Sequence, residues 1–213
     1  MKKLILPLLL LLGITMLMAV ESAPSAVVGY IKYDCLAGNN LIALPMNAGL
    51  TTSTELADAN AGMMDAISAW DPSVQGWVTA SDLGGFWDLD LPVDTESVLM
   101  VNATTAFNLY SIGAMPAANA AFDIVPGNNT IFVPLNKSTL TDSDLLGADI
   151  GIDDAQSYWD ASIQGWVTAS DLGGFWDLTF NTGLGFPVMV NGTSTATWPA
   201  GARSQSLNNR NSK

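Results

Sequence analysis

The stretch QGWVTASDLGGFWDL occupies residues 75–89, and the same fifteen letters recur unchanged at residues 164–178. The two copies are 89 residues apart, and the match continues on both sides of the block without a gap. Between residues 38–104 and 127–193, about 35 of 67 positions are identical. A duplication of this length predicts two small domains or two halves of one pseudo-symmetric domain, because a solenoid needs more repeats.

Each copy is predicted to form mainly antiparallel β structure. In the first copy, strands are expected at the apolar, β-leaning runs 28–34, 41–46, 66–70, 76–80, 98–102 and 106–112. The second copy is expected to begin with a strand at 121–125 and to end with one at 195–199. The predicted fold class is all-β with one short helix per repeat. Two tandem homologous units, each a small sandwich or barrel, are expected to pack together.

Turn and cap residues separate these strands. A Gly-Asn-Asn turn is expected at 38–40, and a short helix at 54–60 with Ser53 as its cap. The corresponding helix of the second copy is expected at 143–149, after Asp142. The glycine- and aspartate-rich loops near the middle of each copy lack periodicity. We expect them to be ordered turns, because glycine supplies positive φ and aspartate bonds to nearby backbone.

The hairpin over 66–80 allows the two copies to be compared face by face. Ile67 of the first copy becomes Gln156 of the second, whereas Trp70 is unchanged. Successive side chains of a strand point to opposite faces, so the face of Ile67 is predicted to be the wetter one and the face of Trp70 the core. An odd-numbered turn would put Trp77 on the opposite face from Trp70. We expect an even turn, which makes the two indoles a buried pair.

Composition and charge exclude several classes of function. Of the 213 residues 49% are hydrophobic, which is enough for a core, and the chain has no histidine and a single cysteine. These counts exclude a His-dependent triad or zinc site, an internal disulfide and a cysteine metal cluster. Residues 27–202 carry two lysines against nineteen acids, a formal charge of −17. This charge opposes binding to nucleic acid and to anionic membranes.

Residues 1–26 have the features of a secretory signal peptide. Lys2 and Lys3 precede an apolar run that ends at Val20, and small residues follow it. Cleavage is expected between residues 19 and 26. The alternative is an uncleaved membrane anchor, for which the run is at the short end of spanning length. The mature chain is therefore predicted to be secreted, extracellular or at the cell surface, with the periplasm as a further location, and not to insert into a membrane.

The domain boundaries follow from the signal peptide and the repeat. Unit 1 is predicted to span 27–113 and unit 2 to span 117–202, and the polar residues 203–213 are predicted to form a disordered tail. Almost no linker separates the units. We therefore expect them to pack against each other as one cooperative body.

Seven tryptophans in a β-protein that is predicted to be secreted point to carbohydrate binding as one candidate function. Sugars stack on exposed indoles, and Asp and Gln side chains bond their hydroxyl groups. The candidate residues are Trp87, Asp82 and Gln75 with their counterparts Trp176, Asp171 and Gln164. The competing interpretation is that the tryptophans fill the thin core of a small domain.

The acidic loops, the single cysteine and the identical block also bear on what the protein could bind or react with. The acidic loops leave weak calcium binding open, but no D-x-D-x-D-G run is present and Asp153-Asp154 is only a pair, so no metal site or cofactor is assigned. Cys35 is replaced by Ile124 in the second copy, which predicts packing rather than reactivity. The identical block has three open explanations: a fixed turn, a surface that is used twice, or a recent duplication.

The motif G-x-N-L-I-x-L-P at 38–45, followed by W-D-P-x-x-Q-x-W at 70–77, resembles a set of secreted bacterial tandem-repeat β-proteins without an assigned function. The resemblance covers nearly all of the chain after the signal peptide, and it implies an extracellular or cell-surface β-rich repeat. The predicted function is a non-enzymatic structural or adhesive surface or matrix protein. It would act through protein contacts, by self-association or with a cell-surface or glycan partner. The alternative is a carbohydrate-binding module.

Overall fold

The computed structural model describes residues 27–200. They form mostly antiparallel β-sheets with two short helices, and two four-stranded sheets of matching topology correspond to the two copies. The predicted fold class is therefore confirmed. The predicted signal peptide and polar tail lie outside the described residues. Within residues 27–200, no helix has the length and apolar character needed to cross a membrane.

The first unit contains a four-stranded sheet, a helix and a two-stranded ribbon. Its elements are β1 (Val28–Cys35), β2 (Gly38–Ala43), α1 (Ser53–Ala59), β3 (Met64–Asp71), β4 (Gly76–Ser81), β5 (Val98–Ala103) and β6 (Phe107–Ala114). The sheet order is β4-β3-β5-β2, and β1 pairs with β6 to form the ribbon. The turn expected at 38–40 is wrong: Gly38 already pairs with Ala103, and the chain turns at residues 36 and 37.

The second unit repeats this order with a shorter ribbon. Its elements are β7 (Phe122–Ile124), β8 (Gly127–Phe132), α2 (Ser143–Ile150), β9 (Asp153–Asp160), β10 (Gly165–Ser170), β11 (Pro187–Gly192) and β12 (Ala196–Trp198). The sheet order is β10-β9-β11-β8, which matches the first unit strand for strand. The β7-β12 ribbon has three residue pairs, whereas β1-β6 has eight. The two units therefore differ mainly in how much ribbon covers the sheet.

Both helices begin at a side chain that accepts a backbone hydrogen bond. Thr52 Oγ1 accepts from Glu55 N at 3.3 Å, so α1 begins one residue earlier than predicted and Ser53 lies inside the helix. Asp142 Oδ1 accepts from Leu145 N at 2.9 Å, which confirms the predicted cap of α2. The caps satisfy amide groups that a helix leaves unpaired in its first turn.

Each four-stranded sheet is covered on both faces. In the first unit, one face packs with the unit's own helix and ribbon, and Ile42, Ile67 and Leu99 belong to this core. The other face contributes Leu41 and Met100 to an apolar core that continues into the second unit. Strands β2 and β5 contact strands β8, β9 and β11 across this interface. The two sheets therefore pack face to face, and the two units form one body.

The predicted burial of the hairpin faces is wrong. Ile67 and its counterpart Gln156 are both fully buried (0% exposed), whereas Trp70 and Trp159 are only half-buried. Successive side chains of a strand lie on two faces, and here both faces are covered. The replacement of an apolar residue by a polar one therefore does not identify a solvent-exposed face. The even turn is confirmed, because Trp70 pairs directly with Trp77 and their rings meet edge-to-face with centroids 5.4 Å apart.

The polar part of the repeat motif joins the two units. Gln75, in the turn between β3 and β4, reaches the start of β8. Its Oε1 accepts from Asn128 N at 2.7 Å, and its Nε2 donates to Asn128 O at 3.1 Å and to Pro72 O at 2.8 Å. Trp70 Nε1 donates to the same Asn128 carbonyl oxygen at 2.7 Å. We call these contacts of Gln75 and Trp70 with Asn128 a clasp.

A second clasp is related to the first by the repeat. Gln164 Oε1 accepts from Asn39 N at 2.7 Å, and Gln164 Nε2 and Trp159 Nε1 donate to Asn39 O at 3.2 and 2.7 Å. Each unit supplies one Gln–Trp pair and receives the other, as the subunits of a two-fold symmetric dimer do. Gln75 and Gln164 adopt φ of 52° and 50°, an uncommon conformation for a residue with a side chain. The clasps therefore account for the identity of this glutamine in both copies.

The Gly-Asn-Asn motif supplies the receiving side of each clasp. Gly38 has a φ of +95°, and a Cβ at this position would lie 2.5 Å from Gln164 Oε1. Asn40 is buried, and its side chain closes the β1–β2 turn by accepting from Leu36 N at 2.8 Å and donating to Leu36 O at 2.7 Å. Asn129 makes the equivalent pair of bonds in the second unit.

The clasp predicts that Gly38→Ala destabilises the protein more than Gly62→Ala does. Both glycines have positive φ, so each alanine introduces backbone strain of about 1 kcal/mol or more. Only at Gly38 does the new Cβ meet a side chain of the other unit, since nothing lies within 4 Å at Gly62. We expect an additional loss of about 1–3 kcal/mol for Gly38→Ala, measured by urea unfolding with tryptophan fluorescence.

The control is the same substitution in a background without the glutamine side chain. Gln164→Ala should remove the additional loss, because it takes away the atoms that the new Cβ meets. Equal losses for Gly38→Ala and Gly62→Ala in the wild-type background would contradict the clasp.

Candidate functional site

The second half of the identical block forms an ordered loop in each unit, as predicted. We call these the LGGF loops, residues 81–88 and 170–177. In the first loop, Asp82 Oδ1 accepts from the N–H groups of both loop glycines at 2.9 and 2.8 Å, and Asp88 Oδ1 accepts from Ser81 N at 2.7 Å. The second loop has the same three bonds at the same distances. The two aspartates thus fix the loop backbone from within.

The tip of each LGGF loop presents apolar side chains to solvent. Phe86 and Phe175 are each 62% exposed, and Leu83 and Leu172 are each 56% exposed. Core packing therefore does not explain their identity in the two copies. We call these four side chains the apolar tips. The molecule carries the same apolar surface twice, on two loops of the same construction.

The tryptophan–aspartate pairs that were predicted to bind carbohydrate lie together at the base of the loops. Asp82 and Trp87 form an isolated backbone bridge, as do Asp171 and Trp176. Both tryptophans are half-buried, and each packs against the core of its own unit. Part of each ring is thus available for stacking, and part fills the core.

The two glutamines of the same prediction lie elsewhere. Gln75 and Gln164 precede β4 and β10, at the opposite ends of these strands from the LGGF loops. Their amide groups bond across the units in the clasps. The structure therefore separates each glutamine from the aspartate and tryptophan of the same candidate set. Carbohydrate binding stays a prediction, and the glutamines are not part of its site.

A cleft of about 460 Å³ lies between α2, the start of β9 and the second LGGF loop. We call it the acidic cleft, because its ionisable lining residues are Asp144, Asp153 and Asp171. The ring of Trp176 forms part of the wall. A Cβ at Gly147 would lie 2.3 Å from this ring, so glycine allows the indole to lie directly against the helix.

A buried polar pair adjoins the acidic cleft. Gln156 is fully buried, and its Nε2 donates to Asp153 Oδ2 at 2.8 Å. The second oxygens of both groups, Asp153 Oδ1 and Gln156 Oε1, are buried and have no hydrogen-bond partner within residues 27–200. Burial raises the pKa of Asp153 to about 6, against the opposing effect of the Gln156 hydrogen bond.

The first unit has an apolar core at the same place. Met64 (3% exposed) and Ile67 (0%) occupy the positions of Asp153 and Gln156. The fold therefore does not require the polar pair, which costs stability because two buried acceptors lack donors. A destabilising exchange in one of two otherwise similar units makes the acidic cleft the candidate functional site.

The exchange of Ile67 for Gln156 is visible in the sequence, but the face predicted for it is wrong, and the sequence offers Asp153 only as a candidate calcium ligand. A strict alternation places residues 153 and 156 on opposite faces. In the structure, the register between β9 and β11 shifts beside Asp153, and this bulge places both side chains in one polar pair. The signal that could have located the site is the replacement of two apolar residues by polar ones near the start of a single strand.

Calcium binding and cysteine reactivity find little support in the described part of the chain. Within residues 27–200, no three metal-ligating side chains lie together, so the calcium prediction gains no site from this geometry. Cys35 is 3% exposed, its counterpart Ile124 is 0% exposed, and burial raises the pKa of the thiol to about 11. This environment fits a packing role for the cysteine.

Comparison with protein-family models, with curated proteins and with solved structures finds no match.

The polar pair predicts a pH-dependent stability cost. The folded pKa of Asp153 is about 6 and the unfolded value is 3.8, so the folded state binds the proton more tightly. The free energy of unfolding should fall by up to about 3 kcal/mol as the pH rises from about 4 through 6. Asp153→Asn should remove this fall, because asparagine resembles the neutral acid. The measurement is urea unfolding of both proteins across this pH range.

Asp154→Asn is the matched control. It removes one acid from the next, exposed position of the same strand, so it should keep most of the fall with pH. A wild-type profile that is parallel to that of Asp153→Asn would contradict the assignment. The double variant Asp153→Met/Gln156→Ile installs the residues of the first unit, and it should be more stable than wild type at pH 7.

Proposed function

We propose that this protein is a secreted, non-enzymatic adhesive protein that binds protein surfaces through the apolar tips of its two LGGF loops. The observation that carries the proposal is the pair of exposed phenylalanines, Phe86 and Phe175, on loops whose backbones are fixed by internal aspartate bonds. Large exposed apolar side chains on ordered loops are typical of contact surfaces.

The construction of the loops favours binding. An ordered loop loses little conformational entropy when a partner covers it, so more of the contact free energy remains as affinity. Two identical tips on one body also allow bivalent attachment to a surface that carries repeated partners. The formal charge of −17 on residues 27–202 opposes close association in solution and disfavours nucleic acid and anionic membrane as partners.

The carbohydrate-binding alternative has less support. The side chains of Gln75 and Gln164 already bond across the units, and the rings of Trp87 and Trp176 are half covered by the core. A glycan array with the purified protein distinguishes the two functions. Specific glycan binding that Phe86→Ser/Phe175→Ser leaves intact would favour the alternative.

The proposal predicts that the apolar tips control attachment to cell surfaces. Retention of the labelled mature protein on cells of the producing organism should fall by about tenfold or more in Phe86→Ser/Phe175→Ser. Each single variant should lose less than the double variant does, because one loop remains. Light scattering from low to high salt tests self-association in parallel, and growth of the particles only with intact tips would identify the protein itself as a partner.

Val74→Ser/Ile163→Ser is the matched control. These residues are 69% and 65% exposed, as apolar and as accessible as the tips, but they lie on the hairpin turns that belong to the clasps. Their replacement should leave retention unchanged. Equal losses in both double variants would mean that general surface hydrophobicity, rather than the LGGF loops, retains the protein.

A further inference from the structure

We propose that the acidic cleft of the second unit binds an organic cation, a primary ammonium or guanidinium group, through Asp153 and Gln156. The cleft shares Phe175 with the apolar tip of the second LGGF loop, but Asp153 and Gln156 lie outside the apolar tips, so the inference does not depend on the proposed function. Two independent features carry the inference, the unpaired acceptors and the charge of the lining, and the first unit, which lacks the polar pair, provides the comparison.

The hydrogen-bonding groups of the pair require a donor. Asp153 Oδ1 and Gln156 Oε1 are acceptors, and both are buried without a partner within the described residues. A buried acceptor without a donor is unfavourable, so a ligand that supplies donors gains from both atoms. Ammonium carries three N–H donors and guanidinium five, and neither has an acceptor that would compete. Gln156 is fully buried and does not itself line the cleft, so its amide stands behind Asp153, to which it is bonded, and is held in place before a ligand arrives.

The charges of the cleft select a cation. The ionisable lining residues are Asp144, Asp153 and Asp171, and no base is among them. Within residues 27–200 the bases are Lys32 and Lys137, which pair with Asp34 and Asp149 respectively. Neither lysine lines the cleft, so a ligand cation would be the positive partner that this lining lacks.

The wall of the cleft favours an organic cation over a metal ion. Trp176 and Phe175 line it beside the aspartates, and aromatic faces attract ammonium and guanidinium groups. Calcium requires six or more oxygen ligands, and within residues 27–200 no three ligating side chains converge. An alkyl chain behind the cationic head could contact the exposed ring of Phe175, which is 62% exposed.

The first unit provides an internal comparison. Its hairpin and LGGF loop are built in the same way, but Met64 and Ile67 replace the polar pair, and Ala57, the fifth residue of α1, takes the place of Gly147, the fifth residue of α2. The first unit therefore keeps the aromatic and acidic loop residues while it lacks the acceptors and the glycine beside the indole. If loop residues alone bound the cation, both units would do so, whereas the proposal predicts one site per chain.

The test is a titration of the purified mature protein with methylguanidinium and with n-butylammonium at neutral pH and low salt. Isothermal calorimetry should give one saturable site per chain, and the intrinsic tryptophan fluorescence, to which Trp176 contributes, should change with it. Asp153→Asn should weaken binding by about tenfold or more, and Asp153→Met/Gln156→Ile should abolish it. Asp154→Asn, the neighbouring charge removal, should change the affinity by less than about twofold.

Several results would overturn the proposal. They are the absence of saturable binding to wild type, equal weakening by Asp153→Asn and Asp154→Asn, and glycerol or calcium chloride binding as tightly as the cations at the same site. Two sites per chain would also overturn it. Phe86→Ser, in the loop of the other unit, should leave cation binding unchanged even if it weakens adhesion, so failure of the two proposals can be told apart.

Discussion

The reciprocal bonds of Gln75 and Gln164 across the two units are the constraint on which the rest of the structure depends. Each glutamine bonds both the N–H and the C=O of one asparagine in the other unit, and a tryptophan indole shares the carbonyl. These bonds require positive φ at the glutamines and a glycine before each receiving asparagine. They fix how the two sheets face each other, and so decide which side chains lie between the units. A duplicated chain has thereby acquired the interface of a two-fold dimer within a single polypeptide.

This interface gives each sheet two covered faces and so adds to the stability of each unit. A unit that is stabilised by the other unit as well as by its own helix and ribbon tolerates a local loss of stability that would unfold a small domain on its own. The polar pair of Asp153 and Gln156 is such a loss, and the first unit shows the apolar alternative at the same positions. Duplication thus allows one copy to keep the ordinary core while the other carries a costly polar group.

Local features of this chain were predictable from sequence, and features that depend on distant contacts were not. The repeat, the Asp142 cap and the pairing of Trp70 with Trp77 follow from spacing, turn length and residue type within one element. The bond from Asn128 N to Gln75 joins positions 53 residues apart, and nothing local distinguishes this glutamine from an exposed turn residue. The buried face of the hairpin was mispredicted because periodicity cannot reveal that a second sheet covers the other face. The Asp153 site was missed because a bulge changes the alternation beside it.

Contacts in the structure explain why some, but not all, residues of the fifteen-residue block are the same in both copies. The clasp accounts for Gln75, the internal bonds of the loop account for Asp82, both glycines and Asp88, and a hydroxyl bond to Ser68 at 2.8 Å involves Thr79. None of these contacts requires the exposed apolar tips to be identical. Just before the block, Pro72 and Val74 have become Ala161 and Ile163, so substitutions have accumulated next to it. A recent duplication alone would not confine change to positions outside the block, whereas the adhesive surface proposed above would explain why the tips have kept the same side chains.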